Sequence, residues 1–202
     1  TKDQSYMLYH LTQEQLKNFA TPLGKLTKIK VRALAKKFKL SPAKRPDSQD
    51  ACFVGDNYQN FVSGYSSAII TSGNIVDTHG KLLGRHKGLP FYTIGQRRGL
   101  GIASADRLYV VKLDKERTEV VLGSLKDLQK NELTASELHW INGMPSDLSC
   151  IECKIRYNSE KSKAKIEVLG GNIVRVLFQK PQTAITPGQN IVFYKKDTVL
   201  GG

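Results

Sequence analysis

The residues best suited to covalent chemistry in this chain are its three cysteines, Cys52, Cys150 and Cys153. A thiolate is both a nucleophile and a carrier of sulfur, and its reactivity depends on a lowered pKa and on access. Cys52 is the only thiol in the first 149 residues. It ends the stretch Lys44-Arg45-Pro46-Asp47-Ser48-Gln49-Asp50-Ala51-Cys52-Phe53, in which a basic pair and a proline lead into a polar turn. Lys44 and Arg45 favour a thiolate there, whereas Asp47 and Asp50 oppose it, so the net effect is not legible from the sequence. The competing reading is a structural cysteine buried under Phe53, since free cysteine is among the most buried residue types. Cys150 and Cys153 form a C-x-x-C. With no second pair and no histidine pair nearby, this is not a zinc site. In a strand, residues three apart point to opposite faces, which argues against a redox disulfide. Both therefore read as structural. His10, His79, His86 and His139 show no ligand spacing, and no metal is expected.

A second candidate is the run from Gly88 to Gly101, which holds Thr93-Ile94-Gly95-Gln96-Arg97-Arg98-Gly99-Leu100-Gly101. Glycines let a backbone approach a ligand closely, and arginines pair with phosphate through a planar fork. The Gly-Lys-Ser/Thr ending of a P-loop is absent, and no strand–turn–helix unit surrounds the run as a dinucleotide fingerprint requires. A phosphate-contacting loop and an ordinary glycine-rich turn both fit the pattern.

The charge balance suits an anionic partner. Thirty-one basic residues face 18 acidic ones, a net charge of +13, and a pI near 9.7 is the footprint of a polyanion binder. Charge alone does not separate RNA from DNA or acidic lipid. No apolar run approaches the roughly 20 residues needed to span a bilayer, and there is no signal-peptide pattern, so no membrane association is expected. Three unevenly placed cysteines argue against a secreted disulfide scaffold and for a reducing, cytoplasmic setting. The chain opens on Thr1 already in mid-pattern and reads as a fragment of a longer protein.

The elements that must carry these residues divide into three parts, an α+β organisation. Residues 1–60 are expected to be helical and to include the Cys52 loop. Thr12-Gln13-Glu14-Gln15 has the capping-box form, predicting a short helix to about Phe19. Thr27 caps a second helix whose apolar face is Val31, Leu34, Ala35 and Phe38. Lysines and Arg32 occupy the rest of its surface. Residues 61–130 read as a small mixed central domain. It has a hairpin turning at Asp77-Thr78-His79-Gly80, then a strand at 107–113 paired with one at 119–123. Residues 131–202 punctuate short strands at 133–140, 149–157, 163–168, 173–178 and 190–195 with turn signals, as a small β-barrel does.

These residues carry a resemblance. The stretches Lys2-Asp3-Gln4-Ser5-Tyr6, Val31-Arg32-Ala33-Leu34-Ala35, Asp47 to Phe53, and Gly84 to Gly101 are similar to the C-terminal portion of the bacterial and organellar tRNA-specific 2-thiouridylases. So are Lys154-Ile155-Arg156-Tyr157, Ala184 to Gln189, Val192-Phe193-Tyr194 and Leu200-Gly201-Gly202. The similarity runs through the whole chain in order. It implies an enzyme family that replaces the 2-oxygen of the wobble uridine with sulfur in tRNAs for lysine, glutamate and glutamine. ATP, a co-substrate, adenylylates the base carbonyl. A cysteine persulfide, charged by a sulfur-donor protein, supplies the sulfur, and a second cysteine assists its release.

By the same resemblance Cys52 is the persulfide-bearing cysteine. Lys2, Asp3 and Gln4 contact tRNA, as do Arg156, Tyr157 and Gln189. The implied C-terminal fold is an elongation-factor-like β-barrel. The family's ATP pyrophosphatase motif, of the Ser-Gly-Gly-Val-Asp-Ser type, does not occur in these 202 residues. The chain alone is therefore expected neither to bind ATP nor to thiolate tRNA. A non-catalytic RNA-binding module with a structural Cys52 is the alternative. A methyltransferase is disfavoured, because no strand leads into a glycine-rich loop with a distal acidic residue to hold S-adenosylmethionine.

Overall fold

The computed structural model describes residues 4–44 and 70–202. Lys2, Asp3 and Cys52 lie outside the described residues.

The N-terminal part is a string of short helical turns. A 3-10 turn, η1, spans Ser5–Leu8 and is followed by α1, Gln13–Lys17. The Thr12 capping box forms in full: Gln15 N donates to Thr12 Oγ1 at 3.2 Å, and Thr12 N donates to Gln15 Oε1 at 2.9 Å. The helix stops at Lys17, two residues before the expected end at Phe19. A capping box satisfies backbone donors at the start of a helix but supplies no buried face to extend it. Thr27 caps α2, Lys28–Lys37, through Lys30 N at 3.4 Å. No side chain of α2 is buried among the described residues, and Phe38 is 65% exposed. The expected apolar face is present as a sequence pattern but stays half-exposed. Among the described residues the part expected to be helical is thus two short α-helices and 3-10 turns, including η2 at Ser41–Lys44, and the described chain as a whole is mostly β.

The central part is a four-stranded sheet of β1 (Gly73–Asp77), β2 (Leu82–His86), β3 (Tyr109–Asp114) and β4 (Glu119–Gly123), in the order β2-β1-β4-β3. Two antiparallel hairpins are joined by a parallel β1–β4 pair. The first hairpin turns at the predicted residues. Asp77 Oδ1 accepts from His79 N and Lys81 N, and Gly80 closes the turn at φ +83°. Ile75, Val110, Val120 and Leu122 are fully buried between the strands, and Leu100 joins them. A short 3-10 turn, η3 at Leu89–Phe91, leads into the glycine-rich run.

The C-terminal part is a six-stranded antiparallel sheet in the order β10-β9-β6-β7-β8-β5. Its strands are β5 (Gln129–Ala135), β6 (Ile151–Lys154), β7 (Ser162–Gly170), β8 (Ile173–Thr183), β9 (Val192–Lys195) and β10 (Thr198–Gly201). A further 3-10 turn, η4 at Lys126–Leu128, enters β5. The sequence places this first strand at 133–140, four residues late. Polar Gln129, Lys130, Asn131 and Glu132 disguise its start, yet Gln129, Lys130 and Glu132 pair with β8, with a register shift between Lys130 and Glu132. The final strand, β10, was not expected.

The chain also joins the two edges of this sheet. Just after edge strand β5, residues 139–141 pair with the opposite edge, β10. His139 and Gly202 exchange both backbone hydrogen bonds (2.8 and 3.0 Å), and Ile141 N donates to Leu200 O at 2.9 Å. Joining the edges in this way gives a barrel-like closure that leaves little open edge. Ile151, Cys153, Ala164, Ile166, Val174, Val176, Phe178 and Phe193 alternate inward to fill the interior.

Candidate nucleic-acid interface

Strand β6 delivers the first site residues. Its inward positions, Ile151 and Cys153, and the following Ile155 are buried. Arg156 and Tyr157 then leave the strand at a turn closed by Ser159. The Ser159 hydroxyl donates to Arg156 O at 2.8 Å, while Ser159 Oγ accepts from Arg156 N at 3.3 Å. The turn points the guanidinium at the segment that follows β8. Arg156 Nε donates to Gln189 Oε1 at 2.9 Å. One terminal nitrogen donates to the Ala184 carbonyl and, at 3.0 Å, to Thr186 Oγ1. A planar fork of fixed donors suits this three-point grip, which an ammonium does not reproduce.

The segment is shaped to be gripped. Ala184 adopts a left-handed φ of +58° and hangs from η4 through its N–H to Leu128 O at 3.0 Å. Thr186-Pro187-Gly188-Gln189 is a β-turn with Gln189 N donating to Thr186 O, Pro at the second position and Gly188 at φ +79° in the third. That is the residue order of a type II turn. It lifts Gln189 onto the surface while its side chain reaches back to Arg156.

Tyr157 reaches the N-terminal segment instead. Its ring meets Tyr6 edge-on, with centroids 6.1 Å apart and planes at 72°. Tyr6 donates its hydroxyl to Asn190 O at 2.8 Å and packs with Tyr9, Val192 and Tyr194. Burial raises the Tyr6 pKa above its ordinary value, with neighbouring Tyr9 and Tyr194 adding to the shift. The hydroxyl therefore stays protonated and donates throughout the neutral range. Gln4 is exposed and accepts Met7 N at the start of η1, two residues before Tyr6. Four of the site residues expected from sequence, Gln4, Arg156, Tyr157 and Gln189, are thus carried on segments that meet at one end of the barrel. A cleft of about 550 Å³ opens beside them, between β5 and the 185–191 segment, with Tyr9, His10 and Gln189 on its walls. Lys161 adds positive charge nearby, its ammonium 4.6 Å from the Tyr194 ring centroid.

Of the matched run Ala184 to Gln189, only Gln189 is expected from sequence as a tRNA contact. Ala184 contributes a carbonyl and Thr186 a hydroxyl to the Arg156 grip, and Tyr6 holds the N-terminal segment in place. The signal for the first two was the matched run Ala184 to Gln189 itself. For Tyr6 it was the matched stretch Lys2 to Tyr6.

Of the two C-terminal cysteines, Cys153 is the poor candidate for sulfur chemistry. Cys153 is buried, its thiol donates to Ser162 O at 3.4 Å, and burial, aided by Glu152, pushes its pKa from 9.0 to about 12. Cys150 is exposed and, like Cys153, unbridged. Among the described residues no group of three or more His, Cys, Asp or Glu gathers to hold a metal ion. No helix among them is long and apolar enough to cross a membrane.

Three domain families match in succession. Residues 1–56 match the tRNA methyl transferase HUP domain, residues 59–124 the tRNA methyl transferase PRC-barrel domain, and residues 130–202 the aminomethyltransferase beta-barrel domain. The chain is 45% identical over 204 residues to a tRNA-specific 2-thiouridylase of Carboxydothermus hydrogenoformans. It is 46% identical over 203 residues to one of Acetivibrio thermocellus and 45% identical over 203 residues to one of Halothermothrix orenii. Each match takes in 100% of this chain but only 56–57% of the relative, so the chain spans little more than half the length of the curated relatives it matches. It belongs to the tRNA-specific 2-thiouridylase family and corresponds to the C-terminal portion of its members.

Proposed function

We propose that this chain is the tRNA-holding and sulfur-carrying part of a tRNA 2-thiouridylase. Gln4, Arg156, Tyr157 and Gln189, with Lys2 and Asp3, hold a tRNA for lysine, glutamate or glutamine, and Cys52 carries the sulfur for its wobble uridine. The observation that carries the reading is the Arg156–Gln189 hydrogen bond. It joins two motifs 33 residues apart that the family resemblance had marked separately as tRNA contacts. A net charge of +13 supports a polyanionic substrate.

The chemistry assigned to this chain is the sulfur-loading step. The Cys52 thiolate attacks the outer sulfur of a donor persulfide, the donor leaves as a thiolate, and Cys52 becomes a persulfide. Such a group remains ionised and nucleophilic near neutral pH, for the same reason that a low-pKa thiol does. A uridine 2-oxygen is a poor leaving group until it is adenylylated. That ATP-dependent activation is assigned to groups outside these 202 residues, since the pyrophosphatase motif is absent from the sequence.

The test is intact mass with fragment mapping after exposure to a persulfide donor, alongside tRNA affinity of Tyr157→Ala and Gln189→Ala variants. The reading expects one added sulfur on Cys52, none on Cys153, and weaker tRNA binding in both variants. Sulfur on no thiol, with tRNA binding intact, would leave an RNA-binding module with a structural Cys52.

A further inference from the structure

The glycine-rich run around Arg97 stands beside the central sheet. It hangs from the central sheet by two backbone hydrogen bonds, Gly95 N to Val110 O at 2.8 Å and Val110 N to Gln96 O at 2.9 Å. The Gln96 side chain staples the turn from within, accepting Thr93 N and donating to Arg98 O, each at 3.0 Å. Leu100 is 8% exposed and packs into the core with Ile102 and Leu108. Gly99 and Gly101, at φ +72° and +69°, face outward, and among the described residues nothing lies within 4 Å of where a Gly101 Cβ would stand. The loop is a stapled ridge with an open backbone face.

Arg97 and Arg107 flank that face across a cleft of about 510 Å³. Both are exposed, and among the described residues neither forms an ion pair with a carboxylate. Asp106 also lines the cleft, so its formal charge is +1. That charge matches the single negative charge of a phosphodiester better than the multiple charges of free phosphate or pyrophosphate. The position matters as much. A Cβ on Gly95 would come within 2.9 Å of the Ala184 Cβ, so the ridge starts against the residue whose carbonyl Arg156 grips.

We propose that the Arg97–Arg107 cleft binds backbone phosphate of the same RNA that the Arg156, Tyr157 and Gln189 end of the barrel holds. The inference rests on the tRNA reading above. The two arginines neutralise phosphodiesters, and Gly99 and Gly101 allow the sugar–phosphate chain to lie against the loop backbone. These contacts position RNA without reading its sequence.

The experiment measures affinity of the 202-residue chain for a tRNA transcript as salt is varied. The forms compared are the parent, Arg97→Ala with Arg107→Ala, Arg97→Lys with Arg107→Lys, and Gln189→Ala. Each lost phosphate contact should reduce the slope of log affinity against log salt by about 0.7–0.9. The double alanine variant should therefore bind about thirtyfold more weakly at about 0.1 M salt, with an unchanged melting temperature. The double lysine variant should keep the parent's slope. If the parent binds and Gln189→Ala weakens it while the double alanine variant keeps the parent's slope, the cleft proposal is overturned and the tRNA reading stands. If the parent shows no salt-dependent tRNA binding, both fall. Pyrophosphate binding that depends on the two arginines, with tRNA affinity indifferent to them, would assign the cleft to a small anion and overturn the RNA proposal.

Discussion

Arg156 donates its Nε–H to the Gln189 side-chain oxygen at 2.9 Å, and a terminal nitrogen of the same guanidinium holds both Ala184 O and Thr186 Oγ1. One side chain thereby binds the end of β6 to the turn after β8 and sets the height at which Gln189 stands. Arginine here builds the surface as well as charging it. Its three bonds leave further N–H donors for a ligand, since the group carries five.

Arg156→Lys keeps the charge but loses the fork. An ammonium cannot span Gln189, Ala184 and Thr186 together, so the variant should lose about 1–3 kcal/mol of stability in urea unfolding. Its tRNA affinity should fall more than that of a surface lysine variant, because Gln189 and Tyr157 lose their fixed spacing. Unchanged stability would show that the grip does not support the fold.

Cys153 gives the fold an alkaline limit. Its folded pKa lies near 12 against an ordinary 9.0, so above pH 9 the unfolded chain releases a proton that the folded chain keeps. The associated stability is fully present below pH 9 and is lost as pH rises from 9 toward 12, at up to about 1.4 kcal/mol per pH unit. Cys153→Ala should remove that part of the alkaline decline. In the native chain iodoacetamide should label Cys150 well before Cys153, with the difference abolished in denaturant and read by mass spectrometry.

Asp127 caps the turn before the C-terminal sheet. The Ser124 hydroxyl, first, and the Ser124 N–H, both donating at 2.7 Å, hold its carboxyl below the ordinary 3.8. A depressed carboxyl contributes stability above its unfolded pKa and loses it as pH falls through the folded one. Ser124→Ala should therefore move the Asp127 titration upward in an NMR pH series. Its effect on melting should be small, because the carboxylate is exposed.

Gly201 permits the two edges of the barrel to meet. Its φ is +154°, and a Cβ there would overlap the His139 carbonyl oxygen. Gly201→Ala should break the pairing of residues 139–141 with β10 and cost several kcal/mol, about 3 or more. Hydrogen exchange at the His139, Ile141 and Gly202 amides should rise with it. Protection that survives the substitution would mean the edges are held by the core alone.

Much of this protein was legible one segment at a time. The Thr12 capping box, the Asp77–Gly80 turn and the β4 strand at 119–123 depend on residues within a few positions of one another, and each formed where the pattern placed it. The motifs shared with the tRNA-specific 2-thiouridylases were also readable without coordinates, because they are runs of residue identity. The start of β5 was not legible, since its polar residues pair with partners in β8 that lie 45 to 54 positions away and only that pairing makes them β. The exposure of α2 was equally hidden, because an apolar face records what a helix can bury and not whether a partner stands beside it. The distinction between Cys150 and Cys153 came from depth in the barrel, and the grip of Arg156 came from long-range geometry. A strand register and a left-handed Ala184 brought residues 28 to 33 positions apart within hydrogen-bond reach. Local sequence determined which turns, caps and strands were available. The closing of the barrel decided which side chains met, because contact across such separations is set by packing and not by neighbours along the chain.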